Sequence, residues 1–400
     1  MRFYTGQHKH YCGIDLHARQ MYLCVLDGTG AVLLSRNIDC NPKAFLSAVK
    51  VFREDLVVAV ECIFTWYWIA DLCAREGIAF VLGHALYMRA IHGGKAKNDR
   101  IDAHKIAALL KGGMIPQAYV YPPEMRATRD LMRRRNHLMR KRSELIAHIQ
   151  NTISQYNLPP FEGHIRKRHE REGLLAHFPD VQVRNCVALD LALIDHYDEL
   201  LPKLERHIRA CAKEHDAKSL VLLRSVHGAD LIIPLIILYE VHDIARFPRV
   251  QDFLSYCRLV KPTRESAGKI QGHSSRKIGN AHLKWAFSEA AVCFLRANKP
   301  AQALRARLMA KHGKGKSLAI IAAKLARAVY FMLRRGEARR STPSASSLTE
   351  SNSVPAARSR NVLTGAHRAS GPQHEVDRCQ CALEHAATVA AMHAPGSLTR

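Results

Sequence analysis

No apolar stretch of this 400-residue chain is long enough to cross a bilayer. The longest, residues 231–239, is interrupted by Pro234 and falls far short of the ~20 residues a spanning helix needs. Residues 1–9 are polar and run straight into a strand-like segment, so no secretory signal is expected. A disulfide ladder is missing too. The 11 cysteines are mostly single, and Cys24, Cys62, Cys73, Cys257 and Cys293, set in apolar stretches, read as core thiols of a reduced, cytoplasmic protein. Cys379 and Cys381 form the one close pair, in a tail that also holds His367, His374, His385 and His393, but without the two-residue gap usual in a zinc site. Acidic residues are scarce: 35 Asp and Glu face 60 Lys and Arg, a formal charge of +25. Such an excess repels itself in the folded state, and a polyanionic partner accounts for it most simply. Nucleic acid is the first candidate and an anionic membrane surface the rival.

The chain divides into four parts. Residues 11–15, 21–27 and 31–37 are short β-rich runs, with the turn sequence Asp27-Gly28-Thr29-Gly30 between the last two, and predict an antiparallel meander. Helical spacing over 42–53, an apolar strand over 56–60, a helix over 65–75, a strand over 78–82 closed by Gly83 and a helix over about 100–111 follow. Three hairpin strands followed by alternating helices and strands give an α/β ribonuclease-H-like domain over 1–115. Residues 124–156 contain no Pro or Gly and carry apolar columns at Leu131, Leu138, Leu145 and at Met132, Met139, Ile146, Ile153. A second arm has Ile194, Tyr197, Leu201, Leu204, Ile208 and Cys211 in register, with Pro202 expected to kink or restart it. Together they predict a helical coiled-coil insertion over 116–215. A mostly α C-terminal domain over 216–336 follows, with a polar loop at 261–279. Residues 337–400, rich in Ser, Ala, Pro and Arg, read as a disordered tail.

The chemistry concentrates in carboxylates. Asp15 ends the first strand, Glu61 ends the fourth, and Asp99 and Asp102 are three apart at a helix start, on one face. In the expected sheet the first and fourth strands are neighbours, so the four acids converge. Convergent carboxylates repel unless cations neutralise them, and two Mg²⁺ ions about 4 Å apart suit in-line phosphodiester chemistry. Singly, each acid has a structural explanation as a strand end, a cap or a dipole partner. Jointly they point to catalysis. Lys95, Lys97, Arg100 and Lys105 flank the acidic pair and fit a phosphate backbone. Residues 126–142 hold eight basic residues, among them Arg133, Arg134 and Arg135, against Asp130 alone, and the global charge favours phosphate contact over a merely solvated face.

These residues also carry a resemblance. Gly13-Ile14-Asp15-Leu16-His17, Val60-Glu61 with Thr65 and Tyr67-Trp68, and Lys97-Asn98-Asp99-Arg100-Ile101-Asp102-Ala103 are similar to the DEDD transposases of the insertion-sequence-110 family. Arg246-Phe247-Pro248, residues 253–262, Ser266-Ala267-Gly268-Lys269 and residues 277–283 resemble that family's C-terminal region, so the likeness spans about 11–335. It implies a RuvC-like first domain, a coiled coil used for assembly, and a C-terminal serine that links covalently to a DNA phosphate, here Ser266. Lys261, Arg264, Lys269, Arg276 and Lys277 are near enough in sequence to steady charge on that phosphate. Two departures stand out. The glycine-rich turn often found at the start of the family's C-terminal domain keeps only Gly228 here, and the tail after Gly336 has no counterpart.

The resemblance further implies a cytoplasmic, nucleoid-associated bacterial recombinase acting on double-stranded DNA at the ends of an insertion sequence. It leaves a structured guide RNA as a second candidate partner and predicts a homodimer or tetramer. Three other functions remain open on the residues: a junction-resolving nuclease that uses the acids but not Ser266, a non-catalytic nucleic-acid-binding protein, and a membrane-surface protein.

Overall fold

The computed structural model describes residues 2–91, 98–226, 231–261, 263–273, 278–296 and 298–337. The expected tail, the Cys379 and Cys381 pair, and the Gly228 turn lie outside the described residues.

The N-terminal part is a five-stranded mixed sheet. Strands β1 (His10–Leu16), β2 (Gln20–Asp27) and β3 (Val32–Asp39) form an antiparallel meander, as the turn chemistry predicts. Asp27 builds the β2–β3 turn by accepting from the backbone N–H of Thr29, Gly30 and Ala31, and Gly30 supplies the positive φ of 99° that closes it. Strand β4 (Leu56–Glu61) then pairs parallel to β1, and β5 (Ala79–Gly83) parallel to β4, for a strand order β3-β2-β1-β4-β5. Parallel strands need a crossover, and helix α2 (Tyr67–Arg75) supplies one between β4 and β5. Because β4 is covered on both faces, it reads as the continuous apolar run Leu56-Val57-Val58-Ala59-Val60.

Strand alternation sorts the side chains onto two faces. Cys12, Ile14 and Leu16 pack with Phe45 and Val49 of α1 (Pro42–Val49) and with Ile69, Leu72 and Cys73 of α2. Tyr11 lies on the other face with Val57, Ala59 and the inner stripe of Ala103, Ile106, Ala107 and Leu110 from a later helix. A short helix, α3 (Ala85–Ile91), follows β5, and the later helix is α4 (Asp99–Lys111). Cys12, Cys24, Cys73 and Cys257 are buried, in line with core thiols, whereas Cys62 is exposed just past the end of β4. The sequence places Cys62 in an apolar stretch, but the stretch leaves the sheet at Glu61.

Helices α5 (Pro123–Gln155) and α6 (Val181–Arg224) form an antiparallel pair, with α5 about 50 Å long at 1.5 Å per residue. The direction is fixed by the ladder Arg135 to Glu205, Arg142 to Asp198 and His148 to Asp190. At the far end Ile146, Ile149, Ile153, Ile165, Leu174, Phe178, Val187 and Ile194 close a separate apolar cluster. Pro202 does not restart the helix, since α6 runs through it with helical φ/ψ. The non-helical residue is Asp216 (φ −161°, ψ 78°), whose carboxylate accepts from the N–H of Ser219 and so caps the segment that follows.

The C-terminal part is mostly helical. At its centre is α7 (Ile232–Val241), apolar on all sides and buried along nearly its whole length, so the longest hydrophobic run of the sequence is a core helix. Around it pack α8 (Val250–Tyr256), α9 (Ala281–Arg296) and α11 (Lys314–Arg335), with α10 (Lys299–His312) beyond. No helix among the described residues is long and apolar enough to cross a membrane. The polar segment expected as a loop contains a two-stranded hairpin, β6 (Thr263–Ser266) and β7 (Lys269–His273). Strands this short, with mostly polar residues, show no apolar alternation, so only the cross-strand pairing reveals them.

Candidate active site

The position of α4 on the sheet is set by a single missing side chain. A Cβ on Gly13 would lie 2.3 Å from the backbone N of Ala107 and 2.4 Å from the carbonyl O of Ala103, so only glycine lets α4 approach β1 this closely. Alternation puts Asp15 on the same face of β1 as Gly13. One turn before Ala103, on the same side of α4, lies Asp99. Asn98 fixes that end of the helix, since its side-chain oxygen accepts from the N–H of Ile101 at 2.8 Å. Both Asp99 and Asp102 fall in the first turn, where the helix dipole favours negative charge.

The result is a cluster of Asp15, His17 and Asp99 whose donor atoms all lie within 4.8 Å of one another. His17 Nε2 is 3.4 Å from Asp15 Oδ2 and 3.6 Å from Asp99 Oδ1. Asp102, on the same helical turn, holds Lys105 at 3.3 Å. The last paired residues of β1 and β4 are Ile14 and Val60, so Asp15 and Glu61 are the next residues on adjacent parallel strands. Burial raises the carboxyl of Asp15 above its ordinary value; the neighbouring charge of His17 opposes this, while those of Asp99 and Asp102 add to it. A half-buried carboxylate under repulsion from two others is what a cation would relieve. The separations of 3.4 and 3.6 Å lie between the adjacent (about 3.0 Å) and opposite (about 4.2 Å) donor separations of an octahedral shell with bonds of about 2.1 Å, so small side-chain adjustments would let the donors share a divalent ion.

The four-acid expectation omits His17. Its signal in the sequence is its place two residues after Asp15, just past the end of β1. Of the expected basic residues, Arg100 and Arg134 are exposed, Arg100 directly beside Asp99. Lys95, Lys97, Arg276 and Lys277 lie outside the described residues. Arg133 and Arg135 are engaged within the protein. Arg133 grips the buried carboxylate of Glu240 with two hydrogen bonds, at 2.6 and 2.9 Å, and Arg135 bonds Glu205. Arg126, earlier on the same helix, pairs with Asp71 and lies over the rings of Trp66 and Tyr67. Arg126, Arg129 and Arg133 therefore join α5 to the rest of the protein and Arg135 and Arg142 join it to α6, while Arg134 and Arg140 are exposed. Ser266 is exposed at the end of β6, opposite Lys269 and next to the turn Ala267-Gly268. It is carried by a different element from the sheet that holds the acids, and Arg264 lies on the same strand.

Comparison with known proteins matches the chain in two segments. Residues 12–158 match a transposase profile of the DEDD type named for IS110, and residues 221–306 match that of the transposase IS116/IS110/IS902 family. The first profile covers the sheet, the acidic cluster and α5, and the second covers the core from the end of α6 into α10. Along most of its length the chain is also similar to the transposase for insertion sequence element IS1111A of Coxiella burnetii, at 24% identity over 336 residues, 81% of this chain and 90% of the relative. The class is thus a transposase with an acidic site. The chain belongs to the IS110 family of DEDD transposases.

Proposed function

We propose that this transposase cuts and rejoins double-stranded DNA at the ends of an insertion sequence, with Asp15, Glu61, Asp99 and Asp102 holding two divalent cations, Mg²⁺ as the working ion. The observation that carries the reading is the Gly13 contact, which brings the first turn of α4 over the end of β1 and gathers the acidic cluster there. The strand order, with β1 beside β4, supports a ribonuclease-H-like, RuvC-like domain. Divalent ions supply Lewis acidity toward the scissile phosphate. The chain's own residues do the remainder. Asp15 and Asp99 fix the ions against β1 and α4, Lys105 orients Asp102, and exposed Arg100 offers a charge to the DNA backbone.

Ser266 is the proposed nucleophile. Its hydroxyl gives up a proton as Oγ bonds to phosphorus, and the phosphorus–oxygen bond to one deoxyribose breaks, the leaving oxygen taking a proton. Rejoining reverses these steps with a deoxyribose hydroxyl from the new strand. Since Ser266 and the acids sit on different elements, we assign them to a composite site completed on assembly, through a dimer or tetramer built on the α5–α6 pair as a coiled coil. A structured guide RNA is a second proposed partner, for which the charge of +25 leaves capacity.

The test compares two variants on a DNA substrate bearing an element end. Ser266→Ala should abolish the covalent protein–DNA product, and Asp99→Asn should abolish cutting altogether. Continued cutting by Ser266→Ala without a covalent product would instead identify a metal-dependent nuclease.

A further inference from the structure

We propose that His17 is a nitrogen ligand of the divalent cation held by Asp15 and Asp99, so that the centre is a mixed nitrogen–oxygen site and not an all-carboxylate one. The inference rests on the metal-centre reading above and names a ligand that the four acids do not include.

Three features carry it. Asp15 shares with Gly13 the face of β1 that α4 covers, and His17, the residue just past the end of that strand, turns its imidazole to the same acids, with Nε2 near both Asp15 and Asp99. The backbone of His17 is fixed at the mouth of the β1–β2 turn, where its N–H donates to the carbonyl of Gln20 at 3.1 Å. The side chain is therefore presented by a rigid hairpin. Finally, Nε2 lies 3.4 and 3.6 Å from one oxygen of each aspartate, between the adjacent and opposite donor separations of an octahedral shell with bonds of about 2.1 Å.

The chemistry favours such a ligand. Each carboxylate added to the cluster adds repulsion that the cation must overcome, whereas a neutral imidazole adds a lone pair and no charge. Nitrogen also shifts the preference from alkaline-earth ions toward transition-metal ions, so the site should discriminate more strongly for Mn²⁺ over Mg²⁺ than oxygen donors alone would.

The experiment loads the metal-free full-length chain with Mn²⁺ alone. Binding is followed by calorimetry, and directly coordinated nitrogen by electron spin-echo envelope modulation. Wild type should show ¹⁴N coupling. His17→Gln should lose that coupling, bind Mn²⁺ more weakly by at least about 10-fold, and show a smaller Mn²⁺-over-Mg²⁺ preference. With its side chain 54% exposed, His17 can be replaced without opening the core, and unchanged thermal melting checks this. If wild type binds Mn²⁺ with no coupled nitrogen, or His17→Gln binds as tightly as wild type, while Asp15→Asn and Asp99→Asn abolish binding, the metal centre stands and His17 is only a counter-charge to the acids. If the two aspartate variants also leave Mn²⁺ binding unchanged, the metal-centre reading itself falls.

Discussion

Asp15 and Glu240 are both carboxylates withdrawn from water, and the fold treats them in opposite ways. Glu240 sits on the buried helix α7 and receives hydrogen bonds from Arg129, Arg133 and Asn280, at 2.6–3.1 Å. Arg129 in turn stacks on the ring of Tyr121, whose hydroxyl donates to the backbone carbonyl of Glu240. Burial alone would raise the carboxyl of Glu240, yet these donors and the two guanidinium charges bring it down to about 2. Asp15 has the reverse balance. Burial and the charges of Asp99 and Asp102 raise it, and the opposing charge is that of His17, 3.4 Å away. A charge satisfied from every side is an anchor between helices, and a group of charges left in mutual repulsion is prepared for a ligand.

This comparison can be broken or sharpened by mutation. The largest effect is expected for Asp15→Asn or Asp99→Asn, which should lower DNA cutting by at least about 10³-fold, or about 4 kcal/mol in the barrier. The same variants should melt no lower than wild type, because each removes repulsion. Glu240→Ala should do the opposite, costing about 3–5 kcal/mol in denaturant unfolding, since it strands the buried guanidinium of Arg129 and takes the partner from half-buried Arg133. An unchanged midpoint for Glu240→Ala would erase the distinction between the two sites.

Gly13→Ala tests the contact that joins sheet and helix. Its new methyl meets the backbone of α4, so we expect a stability loss of about 1–3 kcal/mol together with weaker metal binding, because α4 must move away from Asp15. Acid titration sharpens the comparison from the other side. The carboxyl of Glu240 falls from an ordinary 4.5 to about 2 in the folded state, so its contribution to stability is complete above about pH 4.5 and lost as the pH falls through about 2. Glu240→Gln should flatten the stability curve over that window. The smallest effect belongs to Asn98→Ala, which removes the cap of α4 at a cost of about 1 kcal/mol, seen as a small drop in melting temperature.

What was legible in the sequence was local. The meander follows from Asp27-Gly28-Thr29-Gly30, the double-sided burial of β4 from its unbroken apolar run, and the placing of Asp15, Asp99 and Asp102 from strand ends and a helix start. The partners of the basic stripe were not legible, because Arg133 meets Glu240 across 107 residues and Arg135 meets Glu205 across 70, distances over which a helical pattern carries no information. Glu240 is hidden for the same reason, as a lone acid in an apolar helix. Pro202 is a case where a local rule misplaces the break, since α6 continues through the proline and is interrupted at Asp216, where a side chain offers its own cap.

The most direct test of the acidic centre measures cutting of a DNA substrate bearing an element end by chain stripped of divalent ions, before and after Mg²⁺ is restored, with wild type and Asp99→Asn in parallel. We predict no cutting without the metal, full recovery of wild type with it, and none by the variant. Cutting by the stripped protein, or recovery of the variant to the wild-type rate, would contradict the assignment of these carboxylates to catalysis.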